Sequence, residues 1–127
     1  MIVPDQPSPP LAIAHDGPVV TLTLQRPERH NAFDDHLIAS LQAAFDDLGS
    51  DADVRVVVLA ARGRSFSAGA DLNWMRRAAA YTEEENRRDA LALATMLRTA
   101  ASLPRPLIAR VQAVSYTHLT LPTKRIV

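Results

Sequence analysis

Ser65-Phe66-Ser67-Ala68-Gly69-Ala70-Asp71-Leu72 is the stretch whose reading decides the fold. It follows an apolar run over residues 54–61 and precedes an amphipathic segment that begins near Asp71. That order reads as strand, tight loop, helix. The small residues at 67–70 leave the loop backbone bare, so a ligand can approach its N–H groups closely. N–H groups beside a helix start make a positive pocket for an oxygen carrying negative charge. The same small residues also suit an ordinary strand-to-helix turn.

Two other chemistries fail on spacing. A phosphate-cradling P-loop needs Lys and a hydroxyl residue directly after its last glycine, and Gly69 is followed by Ala70 and Asp71. A nucleophile elbow needs glycines two residues before and after its serine. In Gly63-Arg64-Ser65-Phe66-Ser67 the second is a serine.

Outward from this loop the chain reads as alternating strands and helices. Val54, Val56, Val57, Val58 and Leu59 make a run that is apolar on both faces, as in a covered parallel strand. Upstream, Leu11 to His15 and Val19 to Gln25 flank Asp16-Gly17, which predicts a hairpin. Val20, Leu22 and Leu24 alternate with threonines, so one face of the second strand is buried. Residues 26–33 read as a polar loop. Asp34 is a good N-cap for a helix whose face is Leu37, Leu41, Ala44, Phe45 and Leu48, closed by Gly49 and Ser50. Strand, helix and strand over 19–61 make a crossover unit. The 65–72 loop then lies at the C-terminal end of a parallel strand, where open α/β sheets place ligands.

Downstream, Asp71 to Arg77 predicts a short helix, with Trp74 and Met75 expected mainly in core packing. Thr82 and Glu85 form a capping box for a helix to about Ser102, with Ala90, Leu93, Ala94, Leu97, Ala100 and Ala101 on one face. The acidic triplet Glu83-Glu84-Glu85 is read as helix-start chemistry. Pro104 and Pro106 break that helix before a strand over 107–111. Residues 1–10, with four prolines, are expected to be a flexible extended tail. Residues 115–127 show no helical period, and Pro122 argues against a central strand. No internal repeat is visible.

The 127 residues suffice for one modest domain. Fourteen basic and fourteen acidic side chains balance, so nucleic acid is not an expected partner. Without cysteine there is no disulfide framework and no thiolate metal site. The four histidines lack metal-ligand spacing, so no metal is expected. No apolar run spans a membrane and no signal peptide is read, so a cytoplasmic protein is expected.

Three motifs in order carry a resemblance: residues 24–32 (Leu-Gln-Arg-Pro-Glu-Arg-His-Asn-Ala), residues 66–72 and residues 104–112 (Pro-Arg-Pro-Leu-Ile-Ala-Arg-Val-Gln). Together they resemble the N-terminal half of a crotonase, the enoyl-CoA hydratase/isomerase superfamily. Asn73-Trp74-Met75 further resembles bacterial hydratases of branched, carboxylated enoyl-CoA thioesters, such as methylglutaconyl-CoA or carboxygeranoyl-CoA hydratases. The resemblance implies an α/β fold, a spiral of β-β-α units, here truncated. Residues 11–114 would be its N-terminal part, and 115–127 a tail foreign to the family.

The resemblance also implies a ligand and roles. The substrate would be an acyl-CoA thioester, with coenzyme A as part of it and no separate cofactor. Full-length relatives would be homo-trimers or hexamers. Ala70 would donate its backbone N–H to the thioester oxygen as an oxyanion-hole donor, unpaired within the protein and facing a cavity. Ala68 would offer its carbonyl to the adenine amino group. Arg29, His30, Ala32 and Gly69 would contact CoA, Arg29 at a phosphate. Asp71 and Leu72 would complete the acyl pocket. The implied activity is an enoyl-CoA hydratase (lyase). The second N–H donor and the hydratase glutamates would lie beyond Val114, so this chain is expected to be inactive. An isomerase, dehalogenase or thioester hydrolase on the same scaffold is an alternative, as is a non-catalytic acyl-CoA-binding or interaction domain.

Overall fold

The computed structural model describes residues 9–112, 114–115 and 125–126. The expectations for the tail before residue 9 and for residues 116–124 fall outside the described residues.

Strands β1 (Leu11–Asp16) and β2 (Val19–Leu24) pair antiparallel as the predicted hairpin. Asp16 pairs with Val19, so Gly17 and Pro18 form the two-residue loop. Gly17 has φ +58° at the first central position, and proline's fixed negative φ suits the second. Val20, Leu22 and Leu24 are fully buried while the threonines between them are half-buried.

Helix α1 (Asp35–Gly49) crosses over to β3 (Val56–Ala61), which lies parallel to β2 with Leu22 opposite Leu59. The Asp34 carboxylate accepts from the Leu37 N–H, as a cap should. Leu37, Ile38, Leu41, Ala44, Phe45 and Leu48 make the buried face, one residue wider than the sequence pattern. The last turn of α1 has no basic residue of its own. Arg105 supplies one donor to that turn and two to the chain that leaves it. Its guanidinium bonds the carbonyls of Gly49 at 3.1 Å, Asp51 at 2.5 Å and Val54 at 2.6 Å.

After β3 the chain does not run straight into a loop. Ser65–Ser67 forms a short strand, β4, paired with β6 (Val114–Ser115) in a second sheet. All three β4 residues are buried, with Phe66 driven into the core. Helix α2 (Leu72–Ala79) and helix α3 (Glu83–Ala101) follow, the latter with its capping box intact. The buried side of α3 is Met96 and Ala100, with Leu93 and Leu97 partly buried beside them. Ala90, Ala94 and Ala101 are exposed, which corrects the predicted face. Met75 is 53% exposed, so only Trp74 of that pair packs against the core.

Strand β5 is Leu107–Ala109, shorter than the predicted 107–111, and pairs parallel with β3. β7 (Arg125–Ile126) pairs with β5, and the large sheet runs β1-β2-β3-β5-β7. From β3 on, the first strand of each pair joins the large sheet and the second joins the small one. The core lies between the large sheet and helices α1 and α3.

Candidate functional site

Two backbone segments far apart in sequence lie side by side at the C-terminal end of β3. Ala68 N–H donates to the His30 carbonyl at 2.9 Å, and the Ser67 hydroxyl to the Asn31 carbonyl at 3.1 Å. Phe33 N–H donates to the Gly69 carbonyl at 2.6 Å, and Asp71 N–H to the Phe33 carbonyl at 2.7 Å. Phe33 and Ala70 thus form a parallel bridge. In such a bridge Phe33 bonds the residues on either side of Ala70 and leaves Ala70 itself pointing the other way.

The direction of the Ala70 N–H follows from peptide planarity. A trans peptide holds its C=O and N–H on opposite sides of one plane. The Gly69 carbonyl is turned toward Phe33, so the Ala70 N–H must be turned away from it. Among the described residues it has no acceptor. Gly69 adopts φ +91°, a conformation that residues with a Cβ rarely take, and so makes this turn available. The N–H stands one peptide before Asp71, the N-cap of α2, where the first-turn N–H groups contribute positive potential.

Three side chains hold this arrangement. Asn31, fully buried with φ +53°, accepts from Arg26 N–H at 2.7 Å. It donates to the Arg62 and Ser65 carbonyls at 2.8 and 3.0 Å. Asparagine tolerates this left-handed backbone better than most residues. Asp71 caps α2 by accepting from Asn73 N–H at 2.8 Å and Trp74 N–H at 3.1 Å. Its other oxygen meets Arg26 at 3.2 Å, and Arg29 at 4.0 Å. Burial pushes the Asp71 carboxyl up. The N–H groups of Trp74 and Asn73, then the Arg26 and Arg29 charges, outweigh that and hold it below the ordinary carboxylate value.

Arg26 is the third, and sequence reasoning assigned it no role. Its guanidinium donates to the Ala32 carbonyl at 3.0 Å, pairs with Asp34 at 3.0 Å and reaches Asp71. Both aspartates begin helices, so one arginine joins the caps of α1 and α2. Two N-cap aspartates, Asp34 just after the first motif and Asp71 within the second, were the signal available in the sequence. Pro27 lies against Gly63, where an added Cβ would sit 2.9 Å from the proline ring. Gln112, from the third motif, donates to the Ala61 and Gly63 carbonyls at 2.8 and 3.0 Å. All three motifs therefore converge on the end of β3.

Of the expected contact residues, Ala32, Gly69 and Asp71 are buried, Ala68 is half-buried, and Arg29, His30, Ala70 and Leu72 are exposed. The His30 ring lies 3.3 Å from the Ser65 hydroxyl. Two cavities border the segments that hold the loop. One of about 880 Å³ is lined by Gln25, Arg26, Pro27, Asp34, His36 and Arg62. Another, of about 410 Å³, is lined by Ile38, Gln42, Trp74, Asp89 and Ala92, with Trp74 Nε1 donating to Asp89 at 3.0 Å. Neither is lined by Ala68, Gly69, Ala70 or Leu72. Among the described residues no helix is long and apolar enough to cross a membrane.

The profile of the enoyl-CoA hydratase/isomerase family matches residues 15–117. A Thermus thermophilus protein provisionally named enoyl-CoA hydratase is 41% identical over 95 residues, 75% of this chain and 38% of its own. The 1,2-epoxyphenylacetyl-CoA isomerase of Escherichia coli is 46% identical over 55 residues, 43% of this chain and 21% of its own. An enoyl-CoA hydratase structure from Shewanella pealeana superposes with a TM-score of 0.80 at 36% identity, over 82% of this chain and 39% of that one. The chain thus spans about two-fifths of the length of such relatives.

Proposed function

The chain belongs to the enoyl-CoA hydratase/isomerase family, and from that premise we propose that its 68–72 loop supplies one donor of an oxyanion hole for acyl-CoA thioesters. The observation that carries this reading is the Ala70 N–H, turned outward by the pinned Gly69 carbonyl and without an acceptor among the described residues. Adding water across an α,β-unsaturated thioester places negative charge on the thioester oxygen as an enolate. A fixed N–H aimed at that oxygen stabilises the charge, and one such donor is typically worth about 3 kcal/mol. An isomerase passing through the same enolate needs the same donor. The chain is similar to proteins named as hydratases and to one named as an isomerase.

In this reading the substrate is an acyl-CoA thioester, with no further cofactor. Arg29, His30 and the Ala68 carbonyl serve the CoA moiety, and exposed Leu72 flanks the acyl group. Asp71 is already engaged by two N–H groups and Arg26, so it positions the loop rather than handling water. Water activation and proton delivery, usually the work of carboxylates, then fall to groups outside the described residues. The assembly proposed for the whole protein is a homo-trimer or hexamer.

The test is binding and turnover of crotonyl-CoA by the 127-residue chain. Binding with a red-shifted enoyl-thioester absorbance is expected, with loss of that absorbance over time no faster than in buffer. Ala70→Pro, which removes the N–H, should abolish the red shift. An unshifted spectrum on saturation would remove Ala70 from the role of donor. Turnover at an ordinary enzymatic rate would mean that the catalytic groups lie within this chain.

A further inference from the structure

We propose that Arg26 is a positioning residue for the oxyanion donor: by bridging Asp71, Asp34 and the Ala32 carbonyl it sets the direction of the Ala70 N–H. The inference rests on the reading of Ala70 as the donor. It adds a residue to which neither the family resemblance nor the loop motif assigns a role.

The argument runs through the peptide planes on either side of Ala70. The plane before it is held by the Gly69 carbonyl on Phe33 N–H, and the plane after it by Asp71 N–H on the Phe33 carbonyl. Both bonds fail unless the 30–33 segment stays level with the 68–71 segment. Two side chains grip both: the Ser67 hydroxyl, which donates to the Asn31 carbonyl and accepts from Gly69 N–H, and Arg26, which alone of the two reaches Asp71. Nη1 bonds the Ala32 carbonyl and Asp34 on one side, and Nη2 meets Asp71 on the other. All three acceptors lie at 3.0–3.2 Å. The Arg26 side chain is 15% exposed and that of Asp71 4%, so water competes little for the pair. The backbone of Arg26 is held as well. Its N–H goes to Asn31 Oδ1, and its carbonyl accepts from Arg29 and Asn31 N–H.

A planar fork suits this task. It has fixed donor directions, so meeting two carboxylates and a carbonyl at once fixes the angle between the two segments. An ammonium could keep the charge but has no such fork. Catalytic donors need placement to within roughly 0.5 Å and 10–20°, which a sliding pair of segments would not keep.

The experiment compares wild type, Arg26→Lys and Arg26→Gln, each as the 127-residue chain. The first readout needs no ligand: the amide resonances of Ala70 and Asp71, and hydrogen exchange at Phe33 and Asp71. Both variants should move the Ala70 resonance and speed exchange at Phe33 and Asp71, while the amides of α3 stay unchanged. The second readout is the infrared carbonyl stretch of crotonyl-CoA labelled with ¹³C at the thioester carbon. Wild type should lower that frequency relative to buffer. Arg26→Lys should bind the thioester but lose most of the shift.

A full carbonyl shift in Arg26→Lys, or an unmoved Ala70 amide, overturns the proposal, because charge alone would then suffice. If Arg26→Gln does not fold, the lysine variant still decides the question. No shift in wild type, with the Ala70 amide moved in Arg26→Lys, would overturn the functional reading and leave the positioning intact.

Discussion

The chain starts its helices in two ways. α1 and α2 begin at Asp34 and Asp71, both buried and both bonded to Arg26. α3 begins at Thr82 and Glu85, a reciprocal capping box standing in solvent. Each satisfies N–H groups that a helix start leaves orphaned. The exposed box does only that. The buried pair, Asp34 and Asp71, also binds two segments 37 residues apart in sequence, and the direction of one backbone N–H depends on them. The same device, moved from water into a low-dielectric interior and given a shared counter-charge, becomes part of a site.

The contrast is broken most directly by removing the shared charge. Arg26→Ala leaves two buried carboxylates without their shared cation, Asp71 keeping only Arg29 at 4.0 Å. Breaking a buried pair in this way typically costs about 3–5 kcal/mol. Urea denaturation should show a loss of that size with an unchanged m-value. A loss no larger than that from an exposed cap would mean that burial of the pair has no energetic consequence.

Asn31 tests the other half of the clamp. Asn31→Ala removes an acceptor from Arg26 N–H and donors from the Arg62 and Ser65 carbonyls. It also puts a residue less tolerant of the left-handed region at φ +53°. A buried group left unsatisfied costs about 1–3 kcal/mol. The expected loss is in that range, again by urea midpoint, with faster hydrogen exchange at Ala68.

pH sharpens the contrast without a mutation in the arginine. Asp71 is held below its ordinary value in the folded chain, so the unfolded state binds its proton more readily. Stability from this group is therefore complete above its unfolded value, near about 4, and is lost as pH falls through the folded value. Melting curves of wild type and Asp71→Asn between pH 6 and 3 should converge as the solution is acidified. A constant gap across that range would show that the Asp71 charge does not contribute.

The sequence made the local devices legible. Asp34, Thr82 with Glu85, and the Gly17 turn are each set by side chains within four residues of one another. The crossover unit was equally plain, because Val20, Leu22 and Leu24 alternate while Val56 to Leu59 do not. What escaped was long-range. Residues 65–67 read as the start of a loop because a three-residue strand is too short to show a period, and the partner of Ser65 lies 49 residues downstream at Val114. On α3 the expected Leu93, Leu97 and Ala100 do face the core, but Ala90, Ala94 and Ala101 do not, because alanines satisfy an apolar pattern without needing burial. The core took Met96 instead of Ala90 or Ala94. The repeated use of two sheets left no sequence repeat, since β3 with β4 and β5 with β6 share a path but not residues. Arg26 was passed over for a similar reason. Its three partners come from residues 32, 34 and 71, and no spacing rule links them.

The smallest effect is expected at the exposed cap. Thr82 accepts from Glu85 N–H at 3.2 Å, and the Glu85 carboxylate accepts from Thr82 N–H at 3.2 Å. Thr82→Ala removes the first bond and the hydroxyl's own bond to the Glu85 carboxylate at 3.1 Å, and keeps the second, whose donor is backbone. Exposed caps of this kind are worth typically about 1 kcal/mol. Water can replace the lost acceptor at once, because nothing among the described residues covers this turn. The neighbouring Arg87–Glu83 pair, at 3.8 Å with side chains 68% and 93% exposed, adds little, since such surface pairs contribute typically about 0.3–0.5 kcal/mol. The loss should therefore appear as a small drop in urea midpoint and as fraying confined to the first turn of α3. The amides of Ala70 and Asp71 should not move, because no bond leads from Thr82 to Arg26 among the described residues. A Thr82→Ala variant that disturbed the Ala70 amide would show the two kinds of helix start to be coupled, and the distinction between them would fall.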